Sequence, residues 1–140
     1  MQNINRIVIV DDDPGILHLL EGVLQTHWSH VYSMEIACFS NPQEALDNLE
    51  DATVVISDIK MLPIDGIEFL RRAHEKNSKA HYIVYSAFAD SDTEIDLMRL
   101  DEDWMLLKSE ASFTPVFHKS EYLELARSVV AFLNPRPVKE

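Results

Sequence analysis

Short runs of apolar, often β-branched residues recur along the chain and predict β-strands. The first run, Ile7-Val8-Ile9-Val10, has no polar position and is typical of a strand buried on both faces. Comparable runs predict further strands at residues 35–39, 53–57 and 82–85. Longer stretches with a different periodicity separate these runs, so each strand is followed by another kind of element.

In those stretches apolar residues recur every three or four positions, which predicts helices. The first helix follows the start signal Asp13-Pro14, a cap and a first-turn proline. Its apolar stripe is Leu17, Leu20 and Leu24. A second helix is predicted after a cap at Asn41, through Leu46 and Leu49, and a third through Phe69, Leu70 and Ala73. The fourth and the last helix are predicted at residues 93–100 and 121–133. The alternation of strands and helices predicts a parallel sheet with helices on both faces, joined by right-handed crossovers.

Composition and charge exclude several classes of protein. The net charge of −12, from 24 acidic and 12 basic side chains, argues against direct binding of nucleic acid or of an anionic membrane. No apolar run approaches the roughly 20 residues that cross a bilayer, and the N-terminus does not resemble a secretory signal, so we expect a cytoplasmic location. The single cysteine, Cys38, permits no intramolecular disulfide and is expected to be a small buried hydrophobic residue.

Oxygen-bearing side chains stand at the carboxyl ends of three predicted strands. Asp11-Asp12-Asp13 follows the first strand, Asp58 the third and Ser86 the fourth. Ligands of open α/β sheets bind at this edge, and carboxylates gathered there need a compensating cation. Mg²⁺ prefers such oxygen ligands, and a carboxylate beside it can become an aspartyl phosphate.

Each aspartate taken alone could equally be a helix cap or a solvated loop residue. Asp13, directly before Pro14, is sufficiently explained as a cap. We therefore assign the metal-binding role to Asp12, with Asp11 beside it.

These motifs resemble those of response regulator receiver domains. That family has an acidic pair after strand one, a phosphorylated aspartate after strand three, a Ser or Thr after strand four and a lysine after strand five. The similarity covers nearly the whole chain and rests on Val8-Ile9-Val10-Asp11-Asp12, Val54-Val55-Ile56-Ser57-Asp58, the loop residues Met61, Pro63, Asp65 and Gly66, and Ile83-Val84-Tyr85-Ser86-Ala87.

The resemblance implies a fold and a set of roles. The fold is a flavodoxin-like, doubly wound (βα)5 arrangement with a five-stranded parallel sheet and helices on both faces. Asp58 would be the phosphoacceptor, and Ser86 would donate a hydrogen bond to the phosphoryl group. The implied ligands of Mg²⁺ or Mn²⁺ are Asp11, Asp12, Asp58 and the backbone carbonyl of Lys60.

The phosphate-binding lysine has two candidates. Lys108 lies at the usual family distance from Ser86, after a run, Trp104-Met105-Leu106-Leu107, that could be strand five. Lys119 follows Pro115-Val116-Phe117-His118 and directly precedes the last predicted helix, at the cost of about eleven further residues between strands four and five. We favour Lys119 and keep Lys108 as the alternative.

The predicted function is a signalling switch that assists its own phosphorylation and dephosphorylation, and not an enzyme for an outside substrate. A histidine kinase or phosphotransfer protein would donate the phosphoryl group. The surface of helix four, strand five and helix five would then be read by a downstream protein partner or output domain, and a phosphorylation-linked dimer is compatible with this role. Residues 1–134 would be the receiver domain, and 135–140 a tail or the start of a linker.

Two alternatives stay open at this point. A degenerate receiver would bind partners without being phosphorylated. A small haloacid dehalogenase-like phosphatase would use an Asp-x-Asp motif, which Asp11-Asp12-Asp13 satisfies trivially.

Overall fold

The structure is a computed structural model that describes residues 4–58, 66–86, 117–118 and 120–134. Its centre is a parallel five-stranded sheet with the strand order β2-β1-β3-β4-β5. The strands are β1 (Asn5–Val10), β2 (Met34–Phe39), β3 (Val54–Ser57), β4 (His81–Ser86) and β5 (Phe117–His118). In this order the chain passes from β2 over β1 to β3, which is the doubly wound arrangement that the family resemblance implies.

Helices connect the strands at the predicted places. They are α1 (Pro14–Trp28), α2 (Pro42–Leu46), α3 (Gly66–Lys76) and the final helix (Tyr122–Val129). The predicted helix at 93–100 lies outside the described residues, as does the alternative fifth strand around Trp104. None of the helices in the described part of the chain is both long and apolar enough to cross a membrane.

Two helix boundaries differ from the prediction. The second helix was expected to reach Leu49, but α2 ends at Leu46 because Asn48 N donates to Ala45 O (2.9 Å) in a tighter turn. Leu49 is buried in the core although it is not helical, so its apolar character led to the wrong prediction that the helix includes it. The last helix was expected to reach Leu133. It ends at Val129, is followed by a 3-10 turn over Val130–Phe132, and becomes extended at Leu133.

The two faces of the sheet carry separate hydrophobic cores, because successive residues of each strand point to opposite sides. On the first, here called the α1 face, the strand residues pack against α1 and the final helix; its buried members include Ile7, Ile9, Leu17, Leu20, Leu24, Val54, Ile56, Ile83, Tyr85, Leu125, Ala126 and Val129. On the other face, α2 and α3 cover the strands; its buried members include Val8, Val10, Leu46, Leu49, Val55, Phe69, Leu70, Ala73, Tyr82 and Val84. The apolar stripe predicted for the first helix is thus confirmed as the contact of α1 with the sheet.

Candidate functional site

The acidic residues after β1 and β3 continue the two strands side by side. Asp11 N donates to Phe39 O (3.2 Å) and Asp58 N donates to Val10 O (3.1 Å), so the ladder of the sheet extends one residue beyond each strand. Asp11 and Asp58 are 2% and 5% exposed, whereas Asp12 is exposed. Two carboxyl groups are therefore held at the carboxyl edge of the sheet by backbone hydrogen bonds, with a third at its surface.

The three carboxyl groups converge on one point. One carboxylate oxygen from each of Asp11, Asp12 and Asp58 lies within 4.8 Å of the other two. Buried like charges at such distances are unfavourable unless a cation compensates them. An all-oxygen donor set, with one face open to water, fits Mg²⁺, which keeps several waters in its coordination shell. Among the described residues this is the one cluster of possible metal ligands.

The third residue of the Asp11-Asp12-Asp13 run has a different role. Asp13 caps α1: its Oδ1 accepts a hydrogen bond from Gly15 N (2.9 Å). A Cβ at Gly15 would lie 3.2 Å from that oxygen, so glycine allows the close approach. The expectation that Asp13 is a helix cap is confirmed. Asp13 N also donates to Asp11 Oδ1 (2.9 Å) and so restrains the neighbouring carboxylate of the cluster.

The remaining predicted site residues are located only in part. Ser86 is the last residue of β4, and β4 lies next to β3, the strand that Asp58 follows. Lys60, Lys108 and Lys119 all lie outside the described residues. The fifth strand is nevertheless defined: Phe117 and His118 pair with Tyr85 and Ser86 of β4.

One buried residue of this edge was not anticipated from the sequence. Tyr85 is 1% exposed on the α1 face, next to the end of β4. Burial, with the charges of Asp11 and Tyr122 as further causes, raises the pKa of Tyr85 to about 12. The signal that could have identified it is a tyrosine at the second-to-last position of β4, directly before Ser86.

Cys38 agrees with its predicted role. It is partly buried on β2 and packs against the core of the α1 face. Burial, with the charge of Glu21 as a further cause, raises the pKa of Cys38 to about 11. A thiol that stays protonated at neutral pH is a poor nucleophile and a poor metal ligand.

Comparison with known proteins assigns the family. A family model described as the response regulator receiver domain matches residues 7–113. The regulatory protein AtoC of Escherichia coli is 30% identical over 101 residues, which cover 71% of this chain and 21% of AtoC. The transcriptional regulatory protein FlgR of Helicobacter pylori is 35% identical over 96 residues, 68% of this chain and 23% of FlgR. The chain thus spans less than a quarter of the length of either relative.

Solved structures give the same result. The response regulator TrrA of Thermotoga maritima, in complex with Mg²⁺-BeF, is 30% identical with a TM-score of 0.70, over 92% of this chain and 99% of that one. The BeF3-activated DrrB receiver domain shares the fold, with 20% identity, a TM-score of 0.71 and coverage of 92% and 97%. With the carboxylate cluster at the predicted edge of a doubly wound parallel sheet, the chain belongs to the response regulator receiver domain family.

Proposed function

We propose that the chain is a phosphorylation switch in which Asp58 accepts a phosphoryl group from a phosphohistidine of a histidine kinase or phosphotransfer protein. The observation that carries this proposal is the convergence of the Asp11, Asp12 and Asp58 carboxylates within 4.8 Å at the carboxyl edge of the sheet. Asp58 is the member that follows β3, and it is held almost fully buried by the sheet.

In the proposed reaction an Asp58 carboxylate oxygen forms a bond to phosphorus while the phosphorus–nitrogen bond to the donor imidazole breaks. The imidazole nitrogen keeps the bonding electron pair and takes up a proton. Water later attacks phosphorus, the bond between phosphorus and the Asp58 oxygen breaks, and inorganic phosphate leaves the restored carboxylate. Asp58 contributes a nucleophile whose position the Asp58 N to Val10 O hydrogen bond sets, so that little reorganisation is needed.

The proposed metal ligands are Asp11, Asp12, Asp58 and the backbone carbonyl of Lys60. A bound Mg²⁺ or Mn²⁺ would neutralise the charge of the carboxylates and of the incoming phosphoryl group. The donor set of three carboxylates supports this, and so does the Mg²⁺-BeF complex of TrrA.

Ser86 and a lysine complete the proposed site by contacting phosphoryl oxygens. Lys119 is the proposed lysine, because it directly follows His118, the last residue of β5, which pairs with β4. The family match ends at residue 113 and so includes Lys108 but not Lys119. We give more weight to the strand pairing, since the lysine of the family follows strand five.

The output is proposed to be a change in the surface of helix four, strand five and helix five, read by a downstream partner or output domain. AtoC and FlgR are described as regulatory proteins and are much longer than the part that this chain matches, which supports an output module in such relatives. We also propose a cytoplasmic location, a receiver domain at residues 1–134, and residues 135–140 as a tail or linker.

The phosphatase alternative finds no support. Its Asp-x-Asp motif would require Asp13 beside Asp11 in the site. The carboxylate of Asp13 instead caps α1 through Gly15 N.

Intact mass after incubation with acetyl phosphate and Mg²⁺ tests the proposal. We expect one Mg²⁺-dependent phosphate adduct in the parent and none in Asp58→Asn. The matched control is Asp51→Asn, which changes an exposed aspartate before β3, at the other end of the same strand, and should be labelled like the parent. No adduct in the parent, under conditions that label another receiver, would instead support a phosphorylation-independent binding module.

A second pair of variants tests the lysine. Lys119→Ala should weaken the response to phosphorylation, measured as the change in amide NMR shifts of β4 on addition of BeF3. Lys108→Ala should leave that response intact. The opposite result would assign the role to Lys108.

A further inference from the structure

The chain that follows the final helix is held against the amino end of the sheet. The ring of Phe132 stacks on His81, the first residue of β4, with centroids 4.3 Å apart. Leu133 is buried, and the backbone of Asn134 forms two hydrogen bonds with the side chain of Asn5 at the start of β1. These contacts fix the position at which the chain leaves the described part of the fold.

A contact from α1 fixes the end of the final helix as well. The last four carbonyl groups of an α-helix have no partner within it. Trp28 Nε1 donates to one of them, Ala126 O, at 2.7 Å, while Val130 N, which would continue the helix by donating there, donates to Ser128 O. Residues 126–134 are therefore held by three separate elements, α1, β1 and β4.

Two exposed apolar residues lie close in the chain to the groups that hold Asn134. Asn5 Nδ2 donates both to Asn134 O (2.9 Å) and to Ser33 O (3.1 Å). Ile4 directly precedes Asn5, and Val31 lies two residues before Ser33. Ile4 is 50% exposed and Val31 51%, more than any other large hydrophobic residue that the structure describes. Single exposed apolar residues need no explanation, but two at the exit of the chain offer a surface to the segment that follows.

The residues after Asn134 are suited to that surface. They are Pro135-Arg136-Pro137-Val138, outside the described part of the chain. Leu133 already has the extended backbone of polyproline II, with φ −86° and ψ 140°, and a residue before proline, such as Asn134, favours the same region. Two prolines in four residues also reduce the entropy that is lost when the segment is ordered.

Charge favours the same placement. Residues 135–140 include Arg136, Lys139 and one acidic residue, Glu140, whereas the whole chain has a net charge of −12. A segment with a basic excess is attracted to the surface of an acidic domain, and salt weakens this attraction. A second copy of the chain, with the same strong negative charge, is a less favourable occupant of the surface.

We propose that residues 135–138 dock in an extended conformation on Ile4 and Val31, here called the exit patch. Polyproline II has three residues per turn, so Pro135 and Val138 face the patch together. This docking does not depend on phosphorylation of Asp58 and goes beyond the proposed function. Its consequence is that any segment after residue 140 starts from a fixed place at the amino edge of the sheet, opposite to the carboxylates.

NMR spectra of the full chain test the contact directly. We expect NOE cross-peaks between the methyl groups of Val138 and those of Ile4 or Val31. The backbone order parameters of Arg136 and Val138 should be about 0.8, as in a folded core, and not below about 0.6, as in a free chain end.

A pair of double variants isolates the exit patch. Ile4→Ser with Val31→Ser should lower the order parameters of residues 136 and 138 to below about 0.6. The matched control, Leu19→Ser with Leu123→Ser, changes residues that are 37% and 39% exposed on α1 and in the first turn of the final helix. It should leave those order parameters at the parental value. All four positions are exposed, so neither variant removes a core residue.

Several outcomes would overturn the proposal. One is a parent in which residues 136 and 138 have the order parameters of a free chain end. Cross-peaks to the exit patch from residues 1–3, and none from 135–138, would assign its cover to the N-terminal residues. Shifts of Ile4 and Val31 that change with protein concentration, without contacts to Val138, would assign it to a second copy. Equal order parameters in the parent and in the Ile4→Ser, Val31→Ser variant would show that another surface orders the segment.

Discussion

The side-chain amide of Asn5 pairs with the backbone of Asn134. Asn5 Nδ2 donates to Asn134 O (2.9 Å), and Asn134 N donates to Asn5 Oδ1 (2.7 Å). Asn5 is 0% exposed, and its Nδ2 also donates to Ser33 O (3.1 Å). A single buried side chain therefore joins the start of β1, the segment before β2 and the end of the described chain. These hydrogen bonds lie at the amino end of β1, opposite to the carboxyl end that Asp11 follows.

We expect Asn5→Ala to lower the free energy of unfolding by about 1–3 kcal/mol, because its partners lose their hydrogen bonds in a buried setting. Urea unfolding followed by circular dichroism measures this change. The control is Asn48→Ala, whose exposed amide donates to Glu44 O (2.8 Å) and should cost under about 0.5 kcal/mol. The Asn134 amide should also exchange faster with deuterium in Asn5→Ala, and equal protection in both proteins would contradict the assigned pairing.

Substitution of the neighbouring Asp12 and Asp13 should have different effects on the rise in melting temperature that Mg²⁺ produces. Asp12→Asn removes a proposed Mg²⁺ ligand and also a like charge, so we expect the rise in melting temperature on adding Mg²⁺ to be lost, without destabilisation in EDTA. Asp13→Asn keeps a capping oxygen for Gly15 N and should retain the Mg²⁺-dependent rise. Thermal unfolding with and without Mg²⁺ measures this rise in both variants and in the parent. A parent-like rise in Asp12→Asn would remove Asp12 from the site.

The side chain of Asn77 joins the turn between α2 and β3 to the turn between α3 and β4. Its Nδ2 donates to Leu49 O (2.7 Å) and Ala52 O (3.1 Å), and its Oδ1 accepts from Ala80 N (3.1 Å). Asn77→Asp replaces the donor by an acceptor facing two carbonyl groups, and we expect a loss of about 2–4 kcal/mol of unfolding free energy. The effect should be larger at neutral pH than near pH 4, where the new carboxyl group can be protonated and donate. A pH-independent loss would indicate that the change acts through packing.

Much of the fold and the centre of the site follow from local pattern. All-apolar runs identified β1 and β3, and the carboxyl ends of parallel strands must meet at one edge, so Asp11, Asp12 and Asp58 could be brought together without a structure. Asp13 could be separated from them because a proline follows it at the helix start. These conclusions need only strand ends and caps.

Other features depend on packing that no local pattern records. Asn5 and Asn77 look like ordinary loop asparagines in the sequence, and their roles arise from partners 129 and 28 positions away along the chain. The end of α2 at Leu46 is hidden because Leu49 is buried although it is not helical. Tyr85 reads as one more strand residue until the register with Asp58 is known.

The stability of the domain should fall in mild acid because of His81. The ring of His81 stacks on Phe132 with centroids 4.3 Å apart, and its buried Nδ1 has no hydrogen-bond partner among the described residues. Burial lowers the pKa of His81 below its ordinary value of 6.5. In the unfolded chain His81 takes up a proton as the pH falls through that value, whereas the folded protein does so only at lower pH. The unfolded state then binds more protons, so the stability present above pH 6.5 is lost progressively down to the lowered pKa.

His81→Phe isolates this contribution, because it keeps an aromatic ring against Phe132 and removes the titrating group. We expect the free energy of unfolding in urea to drop less between about pH 7.5 and pH 5.5 in His81→Phe than in the parent. His30→Gln, at an exposed position after α1, should show the parental drop. Equal drops in all three proteins would mean that protonation of other groups governs acid stability, and that the stacked ring of His81 accepts its proton without leaving Phe132.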